Sequence, residues 1–236
     1  MMSLIEISVF NLNLCLRKMM NTFAISKYRA IAVLALSGLL ATQSSIAATE
    51  MPAYNKYYDI PSRNVLCQAG HLVTLYDNGY LQSCTVADGT QLQGKTGGNG
   101  AQFYACSSSQ PVVIYADGFL NRCIITNNIQ VGGHNAPNGT QFYTCKANSL
   151  VEIKDDGYLS SCTLASPINV YGRYGSNTVV PYTCKENASL ELRSDGYLSS
   201  CTLAGANWVQ SSSGMKMCNA GSVIYIDASG NGSCGN

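Results

Sequence analysis

The sequence predicts an all-β protein built as an open stack of tandem β-hairpin repeats of about 39 residues, stabilised by disulfides. Three observations carry that prediction: cysteines at a fixed period, apolar residues alternating with a period of two, and an Asp-Gly or Asn-Gly pair within most periods. The 236 residues are 46% apolar and 11% charged, with 22 Gly, 15 Tyr and 11 Cys against 2 His and 1 Trp. That composition excludes a disordered chain, a coiled coil and a typical cytosolic helical protein.

The first element is a leader. Residues 30–41, AIAVLALSGLLA, form the longest strongly apolar run, preceded by Lys27 and Arg29 and followed by small residues. A basic flank, a short apolar run and a small-residue cleavage site describe a secretory signal peptide. Ser45 and Ala47 fit the −3 and −1 positions, so residues 1–47 are expected to be removed. The run is shorter than the roughly 20 residues a spanning helix needs. Residues 1–19, with Glu6 and Cys15, do not fit such a leader, which makes Met20 the expected true start. Removing Arg17, Lys18, Lys27, Arg29 and Glu6 turns the formal net charge from +1 to −2, with 10 basic and 12 acidic residues left. That balance argues against nucleic acid and anionic membrane surfaces as partners. The expected product is soluble, exported to a periplasm or the medium, and has no membrane span.

Residues 48–66 form a lead-in, and the repeat domain follows over 67–236. Its cysteines stand at 67, 84, 106, 123, 145, 162, 184, 201, 218 and 234, with gaps of 17, 22, 17, 22, 17, 22, 17, 17 and 16. Units therefore run over 67–105, 106–144, 145–183, 184–217 and 218–236. Six and eight residues after each first Cys come Val73/Leu75, Val112/Ile114, Val151/Ile153, Leu190/Leu192 and Ile224/Ile226. Thr74, Val113, Glu152, Glu191 and Tyr225 fall between them, as in a strand with one buried face. A turn follows at Asn78-Gly79, Asp117-Gly118, Asp156-Gly157, Asp195-Gly196 and Ser229-Gly230. Glycine there supplies the positive φ that a tight hairpin turn needs.

The return strand opens on Tyr80, Phe119, Tyr158 and Tyr197, continues with Leu81, Leu120, Leu159 and Leu198, and passes through the second Cys to Val86, Ile125, Leu164 and Leu203. A third apolar column, Leu92, Val131, Val170 and Val209, precedes Gly94, Gly133 and Gly172 by two residues in the first three units. After a Gly/Asn-rich loop, Phe103-Tyr104 and Phe142-Tyr143 lead into the next Cys. The segments YDNGYLQSCTV, YADGFLNRCII, KDDGYLSSCTL and RSDGYLSSCTL resemble MORN-type hairpin repeats and their looser bacterial relatives. The resemblance covers 67–236; the longer unit and the regular cysteines depart from the MORN pattern. It implies a stacked, open hairpin array used for binding or scaffolding, with no catalytic residues.

The alternative architecture is a five-bladed β-propeller closed by pairing the chain ends, since residues 48–66 and 218–236 together nearly complete one unit. The five residues missing from the fourth unit speak against it. Ten cysteines allow many connectivities. The near-constant C-x16-C spacing favours bridges within units: Cys67–Cys84, Cys106–Cys123, Cys145–Cys162, Cys184–Cys201 and Cys218–Cys234. The shifted set, Cys84–Cys106, Cys123–Cys145, Cys162–Cys184 and Cys201–Cys218 with Cys67 and Cys234 closing the ends, stays open and suits a propeller. Zinc is disfavoured, as no C-x2-C or nearby His pair is present, and nothing implies a cofactor.

Signals for chemistry are sparse. His71 and His134 read as surface loop residues at non-equivalent positions, without a nucleophile elbow. Glu152 and Glu191 share a column, so two carboxylates could stand together as in glycoside hydrolysis, but Lys154 and Arg193, two residues on, are expected to pair with them across strands. The Asp column is explained by turn chemistry rather than calcium. Asn138, Asn187 and Asn231 head glycosylation sequons that matter only in a glycosylating host. The aromatic columns remain: Tyr80, Phe119, Tyr158 and Tyr197, with Tyr104, Tyr143 and Tyr182 as a second ladder, read first as ordinary cross-strand packing and second as a ligand face for a sugar or protein. Function is expected to be non-enzymatic binding or scaffolding of envelope, glycan or protein partners. The alternatives are an inhibitor of a secreted enzyme using loops 94–102 or 172–180, and a polysaccharide-acting hydrolase.

Overall fold

The structure, a computed structural model, describes residues 48–95, 102–135, 139–174 and 178–235. The leader therefore lies outside the described residues, as do Asn138 and most of the tips of the two loops considered as inhibitor baits. The described chain is all-β, with strands numbered in chain order, and it forms two layers. One layer is an open, purely antiparallel eleven-stranded sheet. It comprises β1 (Thr49–Glu50), β4 (Val73–Leu75), β5 (Leu81–Cys84), β8 (Val112–Ile114), β9 (Leu120–Ile124) and β12 (Leu150–Ile153). It continues with β13 (Leu159–Thr163), β16 (Ser189–Leu192), β17 (Leu198–Thr202), β20 (Val223–Ile226) and β21 (Gly232–Gly235), neighbours in that order. The second layer is five separate hairpins: β2 (Lys56–Ile60) with β3 (Arg63–Cys67), β6 (Thr90–Gly94) with β7 (Gln102–Cys106), and β10 (Ile129–Asn135) with β11 (Gly139–Cys145). The last two are β14 (Ile168–Tyr174) with β15 (Thr178–Cys184) and β18 (Asn207–Ser211) with β19 (Gly214–Cys218).

Each unit is thus two hairpins, one per layer. The units run over β2–β5, β6–β9, β10–β13, β14–β17 and β18–β21, so the boundary falls before each outer hairpin rather than at the first Cys as expected. The sheet ends at β1 and β21 and does not close, so the propeller is not formed. The β2–β3 hairpin takes the place in the first unit that β6–β7 takes in the second, so residues 56–66 of the lead-in belong to the repeat. The missing residues before Cys218 shorten β18–β19 to five residues per strand where β14–β15 has seven. The one sheet hairpin after it, β20–β21, pairs without the register shift of the other four.

The pleat explains the alternation. One row of the sheet runs Cys84, Val112 and, farther along, Cys123, Val151, Cys162, Leu190, Cys201, Ile224 and Cys234, facing the hairpin layer. The neighbouring row faces away from the hairpins. It reads Thr49, Thr74, Ser83, Val113, Arg122, Glu152, Ser161, Glu191, Ser200, Tyr225 and Ser233, spanning about 48 Å at the usual strand spacing. In each turn a glycine at positive φ closes the hairpin; in the first four units a register shift follows one residue into the strand. The preceding Asn78, Asp117, Asp156 and Asp195 accept the N–H two residues on, at 3.1, 3.4, 3.0 and 3.3 Å. This accounts for the acidic column by turn geometry.

The layers are joined at the cysteines. All five bridges lie within units, at Cα separations of 5.7–5.8 Å: Cys67–Cys84, Cys106–Cys123, Cys145–Cys162, Cys184–Cys201 and Cys218–Cys234. Each of the first four sits beside a single backbone bridge between layers, Cys67 with Val86, Cys106 with Ile125, Cys145 with Leu164 and Cys184 with Leu203.

Tyr104, Tyr143 and Tyr182 are fully buried between the layers. They stand opposite Leu92, Val131 and Val170, and their rings lie across Gly94, Gly133 and Gly172. Of the two readings of this column, packing holds and the ligand ladder does not: the ring faces are consumed by the core. Burial pushes the Tyr104 and Tyr143 hydroxyls well above the ordinary 10.0 and that of Tyr182 up to about 12. In the unfolded chain these phenols ionise near pH 10, so the folded state binds more protons above that pH and loses stability as pH rises further. Tyrosine titration followed by phenolate absorbance is therefore expected to show three groups that ionise only together with the loss of β-sheet circular dichroism. Ionisation of all tyrosines near pH 10 with the sheet intact contradicts this.

Candidate functional site

Three surfaces hold the residues that could act on a ligand. The first is the ridge of sheet turns carrying Tyr80, Phe119, Tyr158 and Tyr197, all half-buried. On this ridge the tips of the second-layer hairpins latch onto the turns through one column. Lys95 Nζ pairs with Asp117 at 2.8 Å, His134 packs edge-on against Tyr158 with ring centroids 5.3 Å apart, and Arg173 lies 4.7 Å over the Tyr197 ring. Arg173 also reaches Asp195 at 3.5 Å. Burial disfavours the charge on Asp195, but the Arg193 hydrogen bonds, the Tyr197 N–H and Arg173 together hold its carboxyl below the usual range. Two of the four predicted ligand-face rings, Tyr158 and Tyr197, thus have one side engaged by their own unit. His134 stands on β10, not in a loop as the sequence suggested, because the hairpin extends two residues beyond Gly133. His71 lies in the exposed turn before β4, in another unit, so the structure does not bring the two histidines into one pair.

The second surface is the open face of the sheet. Glu152 and Glu191 do face the same way, but Ser161 of β13 stands between them in the row. Lys154 and Arg193 do not pair with them, contrary to expectation. Their side chains reach along the stack to the next unit instead. Glu152 accepts from Ser161 Oγ at 2.9 Å and pairs with Arg122 of the preceding unit at 3.6 Å, while Glu191 accepts from Ser200 Oγ at 3.2 Å. Lys154 donates to the Arg193 carbonyl and Arg193 to that of Asp227. Tyr76 and Tyr115 do the same, donating to the carbonyls of Ile114 and Ile153 at 2.7 and 2.9 Å. Tyr76, Tyr115, Lys154 and Arg193 share one column, nine residues after each first Cys, and each ties its unit to the next. Burial lowers the Lys154 ammonium from its ordinary range. A shallow groove here is lined by Asn121, Glu152, Lys154, Asp155, Asp156 and Ser160. Among the described residues no group of three or more His, Cys, Asp or Glu is placed to hold a metal ion.

The third surface is the outer face of the hairpin layer, which sequence reasoning did not single out. Phe103 and Phe142 are about half-exposed and stand one unit apart in the same row, opposite Gln93 and Gly132. Tyr171, opposite Pro181, and Met215, opposite Gln210, continue that row, and Trp208 stands exposed two residues before Gln210. The only signal in the sequence was that each core tyrosine of the middle hairpins has an apolar neighbour, and alternation sends that neighbour outward. Adjacent hairpins are held in step by side chains rather than a backbone ladder: Gln102 donates to the Gln130 carbonyl, Gln141 to that of Asn169 at 2.7 Å, and Asn207 to that of Pro181 at 3.2 Å. Between β7 and β10 this leaves a groove lined by Gln91, Phe103, Ala105, Asn127, Asn128 and Ile129, among others. No family model, curated protein or solved structure matches the chain.

Proposed function

We propose that the protein is an exported, non-enzymatic binding module whose hairpin layer lies along an extended envelope glycan. The observation that carries this reading is the repeated outer row of Phe103, Phe142, Tyr171 and Met215, with Trp208 beside it, interleaved with the amides of Gln91, Gln93, Gln130 and Gln210. Flat apolar rings beside amide donors and acceptors suit the apolar faces and hydroxyls of sugar rings. The units recur every two strands, roughly 9.5 Å apart in the sheet, so a linear polymer with its own repeat meets the same contact several times. Five disulfides fit an oxidising compartment, as the leader does. MORN-like arrays, which the turn segments resemble, are binding surfaces of the same general kind.

Titration of the exported chain with a panel of soluble envelope polysaccharides, read by calorimetry, tests the proposal. Phe103→Ala with Phe142→Ala is expected to weaken binding about tenfold or more, at roughly 1 kcal/mol per ring, while Tyr158→Ala changes it little. Absence of binding to every polysaccharide, or affinity indifferent to loss of both phenylalanines, removes the reading.

A further inference from the structure

The two ends of the stack complement each other. Within the chain, one junction recurs: the second sheet strand of a unit pairs with the first sheet strand of the next. Ser161 then faces Glu191 and Cys162 faces Leu190, and Ser200 faces Tyr225 and Cys201 faces Ile224. Two residues past each of these cysteines, the carbonyl of Leu164 or Leu203 accepts the N–H of Asn187 or Gly221 in the turn of the next unit, at 2.8 and 2.9 Å.

Residues 48–52 reproduce that junction although no unit stands before them among the described residues. Thr49 faces Thr74 and Glu50 faces Val73, and the Pro52 carbonyl, two residues on, accepts the Gly70 N–H at 2.9 Å. Residue by residue, Thr49, Glu50 and Pro52 occupy the places of Ser200, Cys201 and Leu203. This segment is a stand-in for the last strand of a preceding unit. Besides the Pro52 contact it is held by a two-residue strand, the Leu75 N–H to the Ala48 carbonyl at 2.8 Å and an exposed ion pair of Glu50 with Lys56 at 2.8 Å, and it has Glu50 where a bridged cysteine belongs.

At the other end, β21 is the fifth such second strand, and among the described residues nothing pairs with its outer edge. Ser233 and Cys234 match Ser200 and Cys201. The edge carries none of the proline or charge that usually protects an exposed strand. Stacked repeats ordinarily finish in polar caps. Here eight of the eleven exposed large apolar side chains among the described residues fall in the two terminal units or in the segment just before the first. Met51, Tyr54, Tyr57 and Leu72 lie at one end, and Trp208, Met215, Met217 and Tyr225 at the other, against Phe103, Phe142 and Leu150 in the three middle units.

We propose that the chain assembles head to tail with copies of itself, β21 of one copy replacing residues 48–52 of the next beside β4. Ser233 of one copy then faces Thr74 of its neighbour, Cys234 faces Val73, and the sheet runs on across the joint. Such a contact joins two different surfaces and does not close, so it builds a linear fibre. Residues 48–52 act as a removable cap that sets the concentration at which assembly begins.

The test uses the exported chain with all its disulfides. Sedimentation velocity over a wide concentration range is expected to show a series of integral multiples, and Glu50→Pro, which weakens the cap, should lower the half-assembly concentration at least tenfold. In parallel, Ser233 is replaced by a photoreactive benzophenone amino acid in the otherwise unaltered chain. Irradiation should join it to the peptide containing Thr74 of a second copy. This arm stands even where Glu50→Pro disturbs folding, which the count of protected cysteines reveals. A crosslink from position 233 to any other surface or to another protein, or none at any concentration, overturns the proposal. The fibre does not depend on glycan binding, so Phe103→Ala with Phe142→Ala leaves assembly unchanged.

Discussion

Replacing Cys145 and Cys162 together by alanine is expected to destabilise the array by about 3 kcal/mol, the chain-entropy value for a loop of this size. For a domain of this length that corresponds to a fall in melting temperature of roughly 6–12 °C. The physical reason lies in how the layers meet. Around Cys145 the only backbone pairing between the second layer and the sheet is the single bridge to Leu164, with the Lys146 and Ala165 amides bonding across at 2.8 Å each. The bridge therefore holds a corner that has little ladder of its own. In a stack where each unit touches only its neighbours, loss in the middle unit weakens two junctions, whereas loss of Cys218–Cys234 at the end weakens one. Denaturant melts of the two double variants should show the middle pair costing more. Equal and small losses, under about 1 kcal/mol, would mean that interlayer packing alone holds the corner.

Gly196→Ala is expected to cost about 3 kcal/mol or more, and Gly79→Ala only about 1–2. Both glycines occupy the same turn position at nearly the same φ, +83° and +82°, so both variants carry the strain of a side chain in the left-handed region. They differ in their neighbours. A Cβ at Gly79 meets nothing within 4 Å. At Gly196 it falls inside the contact distance of the His134 carbonyl, 2.7 Å from its carbon, because the preceding unit's hairpin crosses this turn. The obstacle is backbone, which cannot rotate aside, so an overpacking cost of about 1–3 kcal/mol adds to the strain. Chemical denaturation of the pair isolates the second effect, since the first cancels between them. Similar midpoints for both variants would show that the His134 strand yields freely.

Much of this architecture was legible beforehand, and the reasons are local. Val73 and Leu75 bracketing Thr74, and the same pattern in each unit, specify a strand because side-chain direction alternates with no reference to anything distant. Asp195-Gly196 specifies a turn because only the backbone of those residues is involved. The near-constancy of C-x16-C, one residue shorter only in the fifth unit, pointed to bridges within units, since a closed loop varies little in length while the outer hairpins vary more. The candidate binding surface was less legible. Tyr143 and Phe142 are adjacent aromatics; alternation from the bridged Cys145 turns Tyr143 inward and Phe142 outward, and Gly133 leaves room for the Tyr143 ring across the hairpin. Lys154 and Arg193 were expected beside Glu152 and Glu191 because period-two counting gives the face of a side chain but not its reach, and both extend to carbonyls of the next unit.

Composition, period and turn residues by themselves determined that this is a disulfide-linked array of β hairpins, because each of those properties resides in a few consecutive residues. Only the tertiary structure decided that the hairpins alternate between two layers, that Tyr104, Tyr143 and Tyr182 are core while Phe103 and Phe142 face outward, and that residues 48–52 imitate a missing unit. Those facts depend on which segments meet across hairpins and between layers, and packing settles them where local preference is silent.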